Sequence, residues 1–124
     1  MSGRCQNQIV DALNTAAVLD REQLRDVTLD DEELMREIVA ALIDDTSRQM
    51  KLLNAAIVEQ DVSRCMRLAH YSKGACANVG ANSAAAILKD IEAQAASADF
   101  VACSTALTRL AGEMELLRST ADAL

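Results

Sequence analysis

A single histidine, His70, lies in the run Ala69-His70-Tyr71-Ser72-Lys73-Gly74-Ala75-Cys76-Ala77-Asn78-Val79-Gly80. Imidazole is a nucleophile near neutral pH and can carry a phosphoryl group covalently. Lys73 stands three residues on, close enough on a helix to offset added negative charge through charge-assisted hydrogen bonds. Gly74 stands one full turn from the histidine. A glycine inside a helix costs about 1 kcal/mol against alanine. This chain uses alanine freely, so the glycine needs a reason. Clearing the surface for a partner is one reason, and close helix–helix contact is the plainer one. Gly74 falls on the side of His70 rather than on the apolar stripe, which favours the first.

Other chemistries fit less well. One histidine cannot build a His-rich metal site. Cys65 and Cys76 fall inward, so neither pairs with His70 as a nucleophile. The sequence holds no phosphate-binding glycine loop of the Walker type, no dinucleotide fingerprint and no kinase signature. With no visible means of binding ATP, it reads as no autonomous kinase. Its carboxylates read as solvated faces and helix caps.

The elements that must position the run are helical. The 124-residue chain contains no proline and four glycines, and hydrophobic residues make up 51%. Its length suits one domain with a real core. The core must come from aliphatic residues, cysteine and alanine, because Tyr71 and Phe100 are the only aromatics. The net charge of −7 argues against nucleic acid and anionic membrane surfaces as partners. No apolar stretch is long enough to span a bilayer, and no secretion signal opens the chain. Cys5, Cys65, Cys76 and Cys103 form no CxxC pair and read as free thiols in a cytoplasmic protein.

The periodicity predicts an N-terminal helix over about 6–18, then a short helix capped by Asp20 and carrying Leu24 and Val27. A long helix follows the acidic cluster Asp30-Asp31-Glu32-Glu33 and ends near Glu59. Its predicted inward residues are Leu34, Ile38, Leu42, Leu53 and Ile57, with Val39 and Met50 beside them. Asp61 caps the His70 helix, whose inward stripe reads Val62, Cys65, Met66, Ala69 and Cys76. Gly80 ends it in the left-handed conformation. A fourth long helix starts near Asn82 or Ser83 and buries Ala84, Ile87, Leu88, Ile91 and Ala95. Asp99 caps the last, with Phe100, Cys103, Leu107, Leu110, Met114, Leu117 and Ala121 in steps of three and four. Four long helices with short connections predict an all-α, antiparallel up-down-up-down four-helix bundle, with the N-terminal pieces (1–28) capping one end of a bundle formed by 29–124.

From about Leu29 to the C-terminus the chain resembles the histidine-containing phosphotransfer (HPt) domain family, whose pattern is a histidine, two residues, Lys-Gly, and later a helix-ending glycine. The resemblance implies a phosphorelay intermediate that takes a phosphoryl group from an aspartate on a receiver domain, often part of a hybrid sensor kinase. It then passes the group to the aspartate of a response regulator. It implies His70 as phosphoacceptor, Lys73 as phosphate stabiliser, Gly74 as the clearing for the receiver, and Gly80 as the helix end. Arg67, Tyr71 and Ala77 share or border that side and are the expected docking residues, with Arg64, Arg67 and Lys73 making it locally positive. The receiver would bring Mg²⁺, and the chain would need no cofactor of its own. Ser72 departs from the pattern, standing where the family has an apolar residue. Two other readings are a helical adaptor that binds a signalling partner without phosphate transfer, and the phosphoacceptor domain of a chemotaxis-type kinase. Met1 and the length point to a free-standing protein, and the heptad of the last helix is better used inside the bundle than in a dimer, so a monomer is expected.

Overall fold

The computed structural model describes residues 18–124, and five helices account for most of them. In chain order these are α1 (Arg21–Thr28), α2 (Glu32–Val58), α3 (Val62–Val79), α4 (Asn82–Ala96) and α5 (Phe100–Asp122). The helix expected over about 6–18 lies outside the described residues except for Val18, as does Cys5.

Aspartate caps begin four of the five helices. Asp20, Asp31, Asp61 and Asp99 each accept a hydrogen bond from the backbone N–H three residues on, at 3.0–3.1 Å. Each bond satisfies an amide that the helix itself leaves unpaired. The fourth helix, α4, begins after Ala81 with no side-chain cap. It follows directly on Gly80, whose φ of +94° ends α3.

The four long helices close a ring: α2 packs on α3, α3 on α4, α4 on α5, and α5 back on α2, while α1 sits against α2 and α3. The connections between the long helices are only a few residues long, so successive helices reverse direction. Arg36 near the start of α2 donates to the Leu124 carbonyl just beyond α5, at 3.2 Å. The bundle predicted from periodicity is therefore the fold observed.

The core is aliphatic. Leu53, Leu88, Ile91, Leu110 and Leu117 are at most 2% exposed, with Cys65, Cys76 and Cys103 among them. Ala84, Ile87, Leu88, Ile91 and Ala95 of α4 are all buried as predicted. On α2, Val39, Leu42, Leu53 and Ile57 are buried as predicted and Ile38 and Met50 half-buried, while Leu34 is exposed and Met35, Ile43 and Thr46 also point inward. On α1, Leu24 is buried but Val27 is exposed. On α3, Val62 and Met66 are only half-buried, and the stripe runs through Cys65, Ala69, Ser72 and Cys76. Ser72, 3% exposed, thus occupies the inward position where the family pattern has an apolar residue.

The end of the His70 helix is held from outside. The Asp20 amide donates to the Gly80 carbonyl at 2.9 Å, and Gln23 Nε2 donates to the Ala77 carbonyl at 2.6 Å. A Cβ on Gly80 would lie 2.9 Å from the Asp20 carbonyl oxygen, so the glycine answers both to its positive φ and to this close approach.

Candidate functional site

His70 lies on the exposed side of α3, with 69% of its side chain open to solvent. Its backbone is fixed by Ala69 and Ser72, which are buried in the stripe. The imidazole is not isolated. Its Nδ1 lies 3.0 Å from Oε2 of Glu92, which reaches across from α4. The other carboxylate oxygen, Oε1, accepts a 2.8 Å hydrogen bond from Lys73 Nζ. Glu92 therefore joins the two residues that the sequence singled out.

This arrangement has a chemical consequence. A carboxylate facing Nδ1 favours the tautomer with the proton on that nitrogen. The lone pair is then on Nε2. The ammonium of Lys73 holds the Glu92 carboxyl below the usual carboxylate range, helped by the imidazole and opposed by partial burial. The carboxylate stays ionised through the physiological range.

The remaining predicted residues lie around this cluster. Gly74 is partly buried, and no heavy atom lies within 4 Å of where its Cβ would be. The fold itself does not demand the glycine. Tyr71 is 55% exposed and turns toward α2, where its hydroxyl donates to Asp45 Oδ2 at 3.1 Å. That bond to a carboxylate raises the phenol above its usual range. Asp45 also holds Arg48 at 3.5 Å. Arg67 is exposed and, with Gln49, Arg64, Leu68 and Tyr71, lines a shallow groove between α2 and α3. Ala77 is half-buried, and its carbonyl is occupied by Gln23. Lys73 is engaged with Glu92 and Arg64 with Glu59, at 3.6 Å, so the positive character of this side comes mainly from Arg67.

Glu92 was not legible as a site residue. It stands 22 positions from His70 on another helix, in a chain rich in carboxylates. The i, i+3 and i, i+4 spacings that flag Lys73 and Gly74 have no counterpart between helices. Burial pushes the thiols of Cys65, Cys76 and Cys103 up, which leaves them protonated and unreactive. Among the described residues no group of three histidine, cysteine or acidic side chains could hold a metal ion. No described helix is long and apolar enough to cross a membrane.

The site thus gathers an exposed imidazole, a carboxylate and a lysine bonded to each other, and a bare glycine one turn on. Comparison with known families bears on this directly: the model of the Hpt domain family matches residues 37–120. The chain belongs to the Hpt domain family. The match includes α3, α4 and most of α2 and α5. Hpt domains act in histidine phosphotransfer within phosphorelays and work with receiver domains of two-component systems. Among solved structures, the chain is similar to histidine-containing phosphotransfer protein B of Pseudomonas aeruginosa PAO1. The TM-score is 0.78 and the identity 21%, over 86% of this chain and 92% of that one. The likeness shows that the two share a fold. No curated protein matches the chain significantly.

Proposed function

We propose that His70 is the phosphoacceptor, and that this Hpt domain carries a phosphoryl group between the aspartates of receiver domains, from a hybrid sensor kinase to a response regulator. The observation that supports this most is the exposed imidazole whose Nδ1 is held by Glu92, which leaves Nε2 as the nucleophile. Nε2 attacks the phosphorus of a receiver's aspartyl phosphate, the O–P bond breaks, and the phosphoryl group rests on the ring. The transfer runs in reverse toward the next aspartate. Mg²⁺ belongs to the receiver, which supplies the charge neutralisation on the acyl phosphate. Lys73 adds positive charge beside the acquired phosphoryl group.

Gly74 leaves a bare patch of helix beside the nucleophile, where a receiver can approach. Arg67, Tyr71 and Ala77 border that patch as docking residues. Arg67 supplies the positive charge that an acidic partner surface would meet. We place the protein in the cytoplasm as a monomer, a setting in which buried free thiols persist.

Incubation with phosphorylated receiver domains and Mg²⁺, followed by intact-mass and peptide mapping, tests the reading. An acid-labile phosphoryl group on His70, absent in His70→Gln, is the expected result. A folded protein that takes no phosphate from any receiver would instead be a helical adaptor.

A further inference from the structure

A second glycine stands in a helix interior, away from His70. Gly112 lies in α5, which packs between α4 and α2, diagonally across the ring from α3. A glycine there costs helix stability against alanine. An ideal Cβ on it meets no heavy atom within 4 Å, so packing among the described residues does not require the glycine.

The surface around Gly112 is unusual in two further ways. The glycine lines a groove of about 460 Å³ between α4 and α5, with Ile87 in its floor. Leu116, one turn on, lines the same groove and is 54% exposed. Glu113 lines it too, and its Oε1 is shut off from solvent with no hydrogen-bond partner among the described residues. A buried carboxylate oxygen without a donor is costly. A bare glycine, an exposed leucine and an acceptor without a donor, all on one groove, mark a docking surface.

We infer that this groove is the seat of the chain's own N-terminal segment, residues 1–17, laid along it as an amphipathic helix. The chain enters beside it. Val18 and Leu19 are buried, and the Asp20 amide is bonded to the Gly80 carbonyl, three residues before Ser83 at the end of the groove. From there the groove runs along α4 to Asp90 and along α5 from Leu116 back to Arg109, about 10 Å on each helix. The helix expected over about 6–18 is about 18 Å long, enough to cover it. The larger groove between α2 and α5, of about 570 Å³, lies on the opposite side of α5 from α4, so the segment would have to cross the end of the bundle to reach it.

The side chains match as well. At helical spacing Ile9, Leu13, Ala16 and Ala17 share one side, and Asp11 falls opposite them, away from the acidic groups of the groove. With Ala17 at the mouth, the small alanines meet the protruding Leu116, and Leu13 comes to the bare backbone at Gly112. Asn14 falls level with Glu113 at the border of that side and brings an amide donor.

The test uses the full chain. Cys65, Cys76 and Cys103 are fully buried, so Cys5 is the thiol left for a nitroxide reagent. Paramagnetic broadening of backbone amides is then read by nitrogen-15 NMR. The amides of Asp90 and Arg109 should broaden strongly, and those of Gln49 and Arg67, which line the groove between α2 and α3, should not. Gly112→Arg, which places a side chain in the groove, should abolish the broadening. Leu13→Asp should do the same and leaves the described core untouched. In both variants the chemical shifts of α2 and α3 should stay in place. Broadening spread evenly over the surface would overturn the inference and leave the groove to another protein. Broadening centred on Ser47 and Lys51, in the groove between α2 and α5, would also overturn it, as would broadening that survives both substitutions. A mixture of nitroxide-bearing chains without nitrogen-15 and unmodified nitrogen-15 chains isolates contacts between copies. Arg109 should stay sharp there; its broadening would put a second copy in the groove instead.

Discussion

Replacing Gly74 by alanine separates a glycine kept for the fold from one kept for a partner. An ideal Cβ at this position meets no heavy atom within 4 Å, so no clash opposes the substitution. What remains is the intrinsic preference of a helix interior for alanine, about 0.8–1.0 kcal/mol. Gly74→Ala should therefore stabilise the protein by about 1 kcal/mol. For a domain of this size that is a rise of roughly 3–6 °C in Tm. Urea unfolding followed by circular dichroism measures it, and the midpoint should move up without a change in slope. Transfer from a phosphorylated receiver should move the opposite way, mildly for Gly74→Ala and by more than about tenfold for Gly74→Arg, an effect that corresponds to about 1.4 kcal/mol of lost transition-state stabilisation. A destabilised Gly74→Ala protein would refute the reasoning, because the glycine would then serve the packing of α3. Unimpaired transfer in Gly74→Arg would do the same from the other side.

Gly80→Ala should cost about 2 kcal/mol or more, since a left-handed φ penalises any Cβ by about 1–2 kcal/mol and this one also meets the Asp20 carbonyl oxygen; thermal unfolding would show it, and a neutral result would mean that α1 is not held against α3 as described. Asp61→Ala removes the cap of the His70 helix and should lower stability by about 1 kcal/mol in urea unfolding. The Glu92 carboxyl titrates below its ordinary range when folded, so its contribution is present above the unfolded value and lost as pH falls through the folded one. The stability difference between the native protein and Glu92→Gln should accordingly be flat near neutrality and shrink below about pH 4.5, where the free carboxyl titrates; a difference that persists unchanged to pH 3 would contradict the ion pair with Lys73.

Aspartate caps and apolar periodicity made the helices readable, because both are local signals. Asp20, Asp61 and Asp99 each begin a helix where the pattern placed one, and Gly80 ends α3. Other ends carry no such mark. Gln60 and Ala98 take positive φ without being glycine, held there by the helix-closing hydrogen bonds around them. On α2 the apolar periodicity holds at Val39, Leu42, Leu53 and Ile57 but misplaces Leu34, which is exposed, and passes over a polar residue, Thr46, which is buried. Thr46 sits 3.9 Å from the Cys76 thiol, and Ser72 is buried on the same helix as Cys76. Small polar side chains there fill core positions that a hydropathy pattern assigns to aliphatics. In the site, the residues of α3 were legible from their spacing along one helix. Glu92 was not, because the contact that matters is made by the packing of α3 on α4.

Tyr71 is the single tyrosine of a chain that has no tryptophan. It follows His70 directly, and its hydroxyl is tied to the Asp45 carboxylate. Nearly all absorbance at 280 nm and all intrinsic emission excited above the phenylalanine band therefore come from one ring beside the proposed phosphoacceptor. A tyrosine hydrogen-bonded to a carboxylate emits weakly and absorbs slightly to the red of a free one. A receiver that settles on this side and breaks the Asp45 bond would brighten that emission, so encounter and release can be timed in a stopped-flow instrument on the unlabelled protein.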